Sequence, residues 1–449
     1  MTETPTSRRL PTGLPARRAA LDLLAAALSR RAGLEDEQAA AGLAGLEPRD
    51  RAFARILALT ALRRLGPLDR ALEARIPRPP PEVVRHILRL GAVQALVLGA
   101  PPHAAVSASV DLAESLPAAR RFKGLVNAVL RGLVREPPDL SDPEALAPGW
   151  LLARWSAAWG RPTALDIAAV IAGEPDTDLT FRAEPGPLAE ALELTPVAAD
   201  TWRTSRRGEV AGWEGFAEGR WWVQDASAAV PARLLRPRGG LTVLDMCAAP
   251  GGKTLQLAAA GAEVTALDRS PARLRRVREN LERTGLSAET VAADAASWDD
   301  PRDFEAVLLD APCSATGTFR RNPDVLWAVK PGDIAALAAT QAKLLDAAAR
   351  RVRTGGRLVY CVCSLEPEEG EGQVAGFLKR HADFALDPIA PGEGGAPPGS
   401  RLDNGTLRIL PTHRPGGTDG FFIARFARRP NRRARRDLAQ AAGAAKSGA

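Results

Sequence analysis

The chain has 449 residues, 45% of them hydrophobic, which is enough for two or three domains with buried cores. A formal net charge of +7 and a sequence pI of about 9.7 favour a polyanionic partner. No apolar run reaches the roughly 18 residues that a membrane-spanning helix needs, and four cysteines are too few for a disulfide scaffold of this length. Residues 1–140 hold 21 basic against 14 acidic side chains and residues 427–449 hold 7 against 1, so the basic excess sits at the two ends. Only six of the 60 basic residues are lysine, a bias that a GC-rich genome also produces, so single arginines carry no weight here.

In chain order, the first 140 residues read as helix throughout. Arg17 to Ser29 places Ala20, Leu21, Leu24, Ala27 and Leu28 at helical spacing, and Arg51 to Leu65 does so with Phe53, Ile56, Leu57 and Ala61. Pro77 to Pro81 is a break, followed by helices over Glu82 to Leu98, Val106 to Leu116 and Phe122 to Val134. This pattern describes a basic bundle that either grips phosphates through Arg or is merely solvated. No internal repeat of solenoid length is present. Pro137 to Pro148 reads as a linker. Trp150, Trp155 and Trp159 then recur at helical spacing, which points to packing rather than base stacking. Residues 163–235 alternate between strand and helix patterns and hold Trp202, Trp213, Trp221 and Trp222.

The richest segment is V-L-D-M-C-A-A-P-G-G at 243–252. A strand ends in Asp245, a tight loop follows, and Lys253 and Thr254 open a helix. A doubly wound α/β domain binds an adenosyl ligand at such a junction, beyond the carboxyl end of its first strand. The spacing is neither G-x-G-x-x-G nor Walker A, so nicotinamide and nucleoside-triphosphate chemistry recede. A second strand, Ala262 to Leu267, leads to Asp268, 23 positions after Asp245 and near the spacing of a ribose-binding acid. Ser270 and Pro271 cap the next helix. A weaker strand at Thr290 to Ala292 precedes Asp294. A fourth, Ala306 to Leu309, delivers Asp310 into A-P-C-S-A-T-G. A helix from about Asp333 to Arg353 stops at Gly355 and Gly356, and a fifth strand, Arg357 to Tyr360, delivers Cys361-Val362-Cys363-Ser364. Asp387 to Gly405 reads as a surface loop, and the tail from Arg428 as a basic, disordered segment that touches RNA electrostatically.

All four cysteines, Cys247, Cys313, Cys361 and Cys363, fall in these strand-end motifs. The four histidines, His86, His103, His381 and His413, show no ligand spacing with them, so no metal is expected. Small buried thiols would account for Cys247 and Cys361. Cys313 and Cys363 invite nucleophilic or acid–base roles in a reducing compartment, and no secretory signal is apparent.

D-M-C-A-A-P-G-G-K-T at 245–254, D-A-P-C-S-A-T-G at 310–317 and Y-C-V-C-S at 360–364 resemble the RNA (cytosine-C5)-methyltransferases of the RsmB/Nop2/Sun type. R-R-N-P-D-V-L-W at 320–327, D-G-F-F-I-A at 419–424 and V-Q-D-A-S-A at 223–228 agree. R-F-K-G-L-V-N-A-V-L-R at 121–131 resembles the end of the NusB-like domain that precedes such units in bacteria. The resemblance implies a multidomain protein. A NusB-like all-α RNA-binding bundle spans 13–137, a linker helix with a small α+β subdomain 148–235, a Rossmann-like α/β methyltransferase domain 236–428, and a basic tail 429–449. It also implies S-adenosyl-L-methionine as cofactor, 16S ribosomal RNA as partner, and a monomeric cytoplasmic enzyme. Cys247, Ala248, Ala249, Pro250, Gly251, Gly252 and Lys253 would form the cofactor loop. Asp268 would hold the ribose, Asp294 would face the adenine, and Asp310 would line the methyl-transfer site and the cofactor pocket. Cys363 would attack C6 of the cytosine, which makes C5 enamine-like, and Cys313 would assist release. The family's usual Thr before the nucleophile is here Val362, with an extra thiol at Cys361. The same chemistry on tRNA or another rRNA site is the alternative, as is a NusB-like assembly factor with a relict catalytic domain. A DNA cytosine methyltransferase would use its Pro-Cys cysteine as nucleophile and would leave Cys363 unexplained.

Overall fold

The computed structural model describes residues 13–29 and 37–430; the expected tail lies, from 431 onward, outside the described residues. The described residues form two compact units, one reaching Glu174 and including Arg321–Val329, the other comprising Pro175–Arg320 and the chain from Lys330.

The first unit is helical: α1 (Leu14–Ser29), α2 (Glu37–Ala44), α3 (Pro48–Arg63), α4 (Leu65–Glu73), α5 (Glu82–Leu96), α6 (Pro102–Ser115), α7 (Lys123–Arg135), α8 (Pro143–Leu146), α9 (Gly149–Trp159) and α10 (Arg161–Ala169). The apolar stripes predicted from helical spacing meet in one core around Leu24, Leu57, Leu62, Ile87, Leu88, Val126 and Leu130. Gly91 permits the close approach of helices: a Cβ there would lie 2.6 Å from Leu130 Cδ1 and from Ser109 Oγ. His86 is buried, and burial together with the adjacent Arg89 pushes its pKa down to about 4, so it is a neutral core histidine.

Two expected boundaries shift. The linker carries α8, capped by Asp142 Oδ1, which accepts from the Glu144 N–H at 3.0 Å. Residues 149–172, expected with the α+β subdomain, belong to the helical unit instead. Trp155 is buried there, and Arg63 and Arg64 donate to the carbonyls of Ile171 and Ala172 at 3.3 and 3.1 Å.

The second unit opens with an antiparallel sheet of order β2-β3-β1-β4. It is built from β1 (Thr177–Phe181), a short α11 (Leu188–Ala191), β2 (Thr195–Ala198), β3 (Thr201–Thr204) and β4 (Trp221–Val223). Trp213 and Trp221 pack with Leu179, Phe181 and Leu192 in its core. After α12 (Val230–Leu234) come β5 (Thr242–Met246), α13 (Gly252–Ala259), β6 (Glu263–Asp268), α14 (Pro271–Thr284), β7 (Glu289–Ala292), β8 (Phe304–Asp310), α15 (Val325–Ala328), α16 (Pro331–Arg351), β9 (Val352–Val362), α17 (Glu371–Arg380), β10 (Phe384–Leu386), β11 (Leu407–Ile409) and β12 (Phe421–Arg428).

The large sheet runs β10-β12-β9-β8-β5-β6-β7, with β11 beside β12. Strands β5 to β9 are mutually parallel, whereas β12 runs antiparallel to β9. Chain order reverses between β5 and β8, so the ligand crevice of such a sheet lies beyond Met246 and Asp310.

Three local expectations need correction. The helix stop at Gly355–Gly356 is not one: α16 ends at Arg351 and β9 begins at once, with Gly355 at φ +78° inside the strand. A Cβ on Gly356 would lie 2.7 Å from the Glu305 carbonyl oxygen, so close strand approach explains that glycine. The expected surface loop Asp387 to Gly405 buries Ile389, Ala396 and Ser400. Finally, Arg321–Val329, expected within the methyltransferase domain, cluster with the helical unit, where Leu326 is buried and Trp327 lies 3.1 Å from the Cβ position of Gly66.

Candidate active site

The β5–α13 junction is held by backbone as much as by side chains. Cys247 takes φ +62° and Gly251 φ +106°; the Ala248 N–H donates to the Leu267 carbonyl at 3.1 Å and the Gly251 N–H to the Ala248 carbonyl at 2.8 Å. A Cβ on Gly251 would crowd Val277 Cγ1 at 3.2 Å, and its left-handed backbone is one that glycine adopts without strain. Asp268, at the end of β6, braces this loop. Its Oδ2 accepts from the Ala249 N–H at 3.2 Å and lies 3.6 Å from the Arg273 guanidinium, and its Oδ1 accepts from the Ser270 N–H at 2.9 Å and keeps a lone pair for a ligand. Asp294 follows β7, is exposed, and caps its own turn through the Ala296 N–H at 2.9 Å.

Lys253, the last residue of the loop motif, is paired with the acid at the end of β8. Its buried Nζ donates to Asp310 Oδ2 at 2.7 Å and lies 5.5 Å from the Phe421 ring centroid. Burial opposes its charge, but Asp310, with the thiol of Cys361 and Asp245 behind it, outweighs that and raises the ammonium pKa above its ordinary value. Asp310 Oδ1 accepts from the Cys361 thiol at 3.4 Å, so both carboxylate oxygens are oriented. Burial first, and Asp310 next, push the Cys361 pKa well above its usual range, leaving a neutral thiol.

Asp245 went unassigned in the sequence. It is fully buried, its Oδ2 accepts from the Thr254 hydroxyl at 2.6 Å, and its Oδ1 has no hydrogen-bond partner. Burial pushes its pKa up to about 7. Cys247, raised to about 12 by burial and by Asp310, Asp268 and Asp245 in that order, reports the same electronegative field. A loop with an orphaned carboxylate oxygen, and with three carboxylates against the cations of Lys253 and Arg273, the latter 3.6 Å from Asp268 Oδ2, suits a cationic ligand. S-adenosylmethionine, with its sulfonium and ammonium, is one.

Cys313 and Cys363 come together: their sulfurs are 3.5 Å apart, both half-buried. Cys363 lies just beyond the last residue of β9, and its carbonyl accepts from the Gly317 N–H at 3.0 Å. The hydrogen bond with Cys363, then burial, then the charges of Cys363 and Glu369 hold the Cys313 pKa well above normal. Ser314 and Glu369 went unassigned in the sequence, where Ser364 served only to set the register of Cys363; the repeated Cys-Ser dipeptide was the one signal that the two serines act alike. Among the described residues no group of three His, Cys, Asp or Glu is placed to hold a metal, and no helix is long and apolar enough to cross a membrane.

A family model described as 16S rRNA methyltransferase RsmB/F matches residues 232–427, and one for the NusB family matches residues 14–135. The chain is 39% identical over 435 residues to ribosomal RNA small subunit methyltransferase B of Xanthomonas campestris pv. campestris, covering 92% of this chain and 97% of that protein. It is 37% identical to the protein of that name from Sodalis glossinidius, over 85% of this chain and 91% of the relative. Among solved structures, NSun6 from Pyrococcus horikoshii with SFG, an S-adenosylmethionine analogue, superposes with a TM-score of 0.55 at 22% identity, over 63% of this chain and 99% of that one. With a NusB domain preceding an S-adenosylmethionine-dependent methyltransferase domain, the chain belongs to the RsmB/F family of 16S rRNA methyltransferases.

Proposed function

We propose that this protein methylates C5 of a cytosine in 16S ribosomal RNA through a covalent adduct between Cys363 and C6, in the cytoplasm and as a monomer. The observation that carries the reading is the contact of two thiols, 3.5 Å apart, at the carboxyl edge that also presents Asp310. C5 of an aromatic cytosine is a poor nucleophile. A thiolate on C6 breaks the aromaticity and loads electron density onto C5. When bound, S-adenosylmethionine supplies the electrophilic methyl group. Asp268 and residues Cys247 to Lys253 hold it, with Asp294 toward the adenine.

The chain's own groups then divide the work. Cys313, kept as a thiol, donates a hydrogen bond to the Cys363 sulfur before attack. After methylation a solvent water takes the C5 proton, the C5–H electron pair closes the C5–C6 double bond, and the C6–S pair leaves on Cys363, whose thiolate Cys313 stabilises through its hydrogen bond. Asp310, held by Lys253 and Cys361, hydrogen-bonds the N3/N4 edge of the base. Val362 is no obstacle to this reading, because its side chain is buried in the core with Tyr360 and Phe422, whereas Cys363 packs against the core that holds Cys361. Bisulfite sequencing of rRNA from a deletion strain tests the assignment: one 16S cytosine should lose its protection, and restoration should require the intact gene. Unchanged 16S rRNA with a lost mark on tRNA would move the substrate; no lost mark anywhere would refute the chemistry.

A further inference from the structure

The mechanism leaves one buried group without a task. Glu369, in the turn before α17, is fully inaccessible, and among the described residues no cation pairs with it. Its Oε1 accepts from the Ser314 N–H and from Gln341 Nε2, each at 2.9 Å, and its Oε2 accepts from the hydroxyls of Ser314 and Ser364, each at 2.5 Å. Each serine directly follows one of the two paired cysteines. Gln341, on α16, also donates to the Pro312 carbonyl at 3.0 Å, and the Tyr360 hydroxyl donates to the Glu369 carbonyl at 2.5 Å. Thr316 Oγ1, accepting from the Leu365 N–H at 3.0 Å, adds a further tie between the two turns. Four donors use the lone pairs of the carboxylate, and a buried carboxylate without them would be strongly disfavoured.

We propose that Glu369 is a positioning residue that locks the Pro312–Ser314 turn to the Cys363–Ser364 turn and so keeps the two sulfurs in contact. The inference rests on reading Cys313 and Cys363 as the working thiols. An apolar side chain could fill the same space, but it could not specify the register of two turns 50 residues apart in sequence. The charge has a second effect: it adds to the contact with Cys363 and to burial in keeping Cys313 protonated. Glu369 touches neither sulfur and no reacting atom; it acts through the serines.

The test uses the full-length protein without RNA. Dibromobimane bridges two thiols only when they are close, and peptide mapping identifies which pair it has joined. The wild-type protein should yield the Cys313–Cys363 bridge. Glu369→Gln, which turns one acceptor into a donor, should cut the bridging rate by about tenfold, the scale of a lost charge-assisted hydrogen bond. Should Glu369→Gln fail to fold, the Ser314→Ala, Ser364→Ala double variant carries the test, because it keeps the carboxylate but removes both hydroxyls. Ser364→Thr, which restores one hydroxyl, should recover bridging relative to Ser364→Ala. S-adenosylmethionine affinity monitors folding, since none of these residues belongs to the cofactor loop. Folded variants that bridge as fast as wild type would overturn the proposal. Slower bridging in a protein whose wild type never forms an RNA adduct would uphold the clamp and refute the adduct chemistry instead.

Discussion

The cofactor loop and the paired-cysteine turns lie on one sheet edge and surround the same side chain with different groups. Around the loop, burial first and then Asp310, Asp268 and Asp245 raise the Cys247 pKa to about 12, and burial with Asp310 pushes that of Cys361 well above its usual range. These thiols are held neutral in a field that suits a cation. At the turns the neighbours are serine hydroxyls, one distant carboxylate and another sulfur. Two cysteines there can share a proton. Position on the strand end alone therefore does not make a cysteine reactive; the groups within hydrogen-bond reach decide it.

The comparison breaks first at the group that joins the two regions. Asp310→Asn should lower the single-turnover methylation rate by about 10²–10⁴-fold, the range for a positioned acid–base group, while S-adenosylmethionine still binds. Lys253→Met should act in the same direction by unpairing Asp310. A rate within about threefold of wild type for both would place the chemistry elsewhere. Next, Asp268→Ala should weaken S-adenosylmethionine binding by roughly 10- to 100-fold by calorimetry, since it removes an ionised acceptor that also braces Ala249. Unchanged affinity would sink its role.

Smaller effects follow. Arg131 and Arg135 line a groove between α6 and α7 with Asn127 and His103. Replacing both with Ala should reduce the slope of log affinity for RNA against log salt by about one to two, with cofactor affinity unchanged. Point substitutions are preferable to deleting the first 140 residues, because Arg321–Val329 cluster with that unit and would lose their packing. The smallest effect is on stability. The folded pKa of Asp245, about 7, lies above its unfolded value, so its protonated form is favoured in the native state. Its contribution is full below the unfolded pKa and is lost as pH rises toward 7. Asp245→Asn should thus raise the melting temperature of the cofactor-free protein more at pH 8 than at pH 5. Equal shifts at both would show that the carboxyl is not perturbed.

The parts that the sequence made legible share a physical cause. Strands β5, β6 and β8 are buried runs bounded by an acid at the carboxyl end, and such runs read clearly in a parallel sheet. The helices α1, α3, α5 and α7 carry apolar stripes. What stayed hidden has causes as well. Gly355 and Gly356 looked like a helix stop, yet one takes a left-handed turn inside β9 and the other makes room for Glu305. The strand β12 was visible only as a motif, since F-F-I-A-R-F-A-R alternates on neither face clearly and its Arg425 is buried against Asp387 and Glu393. Cys361 and Cys363, two apart in sequence, pack against the same core, yet Cys361 bonds to Asp310 while Cys363 meets Cys313, a difference of partners that spacing alone does not encode. The serine–glutamate clamp joins positions about 50 residues apart, and no local pattern encodes such a contact.

The central claim is the division of labour between the two thiols, and one denaturing gel of each variant with substrate RNA and S-adenosylmethionine addresses it most directly. Cys363→Ala should show neither methylation nor a retarded protein–RNA band, and Cys361, buried and held by Asp310, should not rescue it. Cys313→Ala should attack and fail to let go, leaving a stable retarded band. A retarded band for Cys363→Ala and none for Cys313→Ala would exchange the two roles and contradict the account.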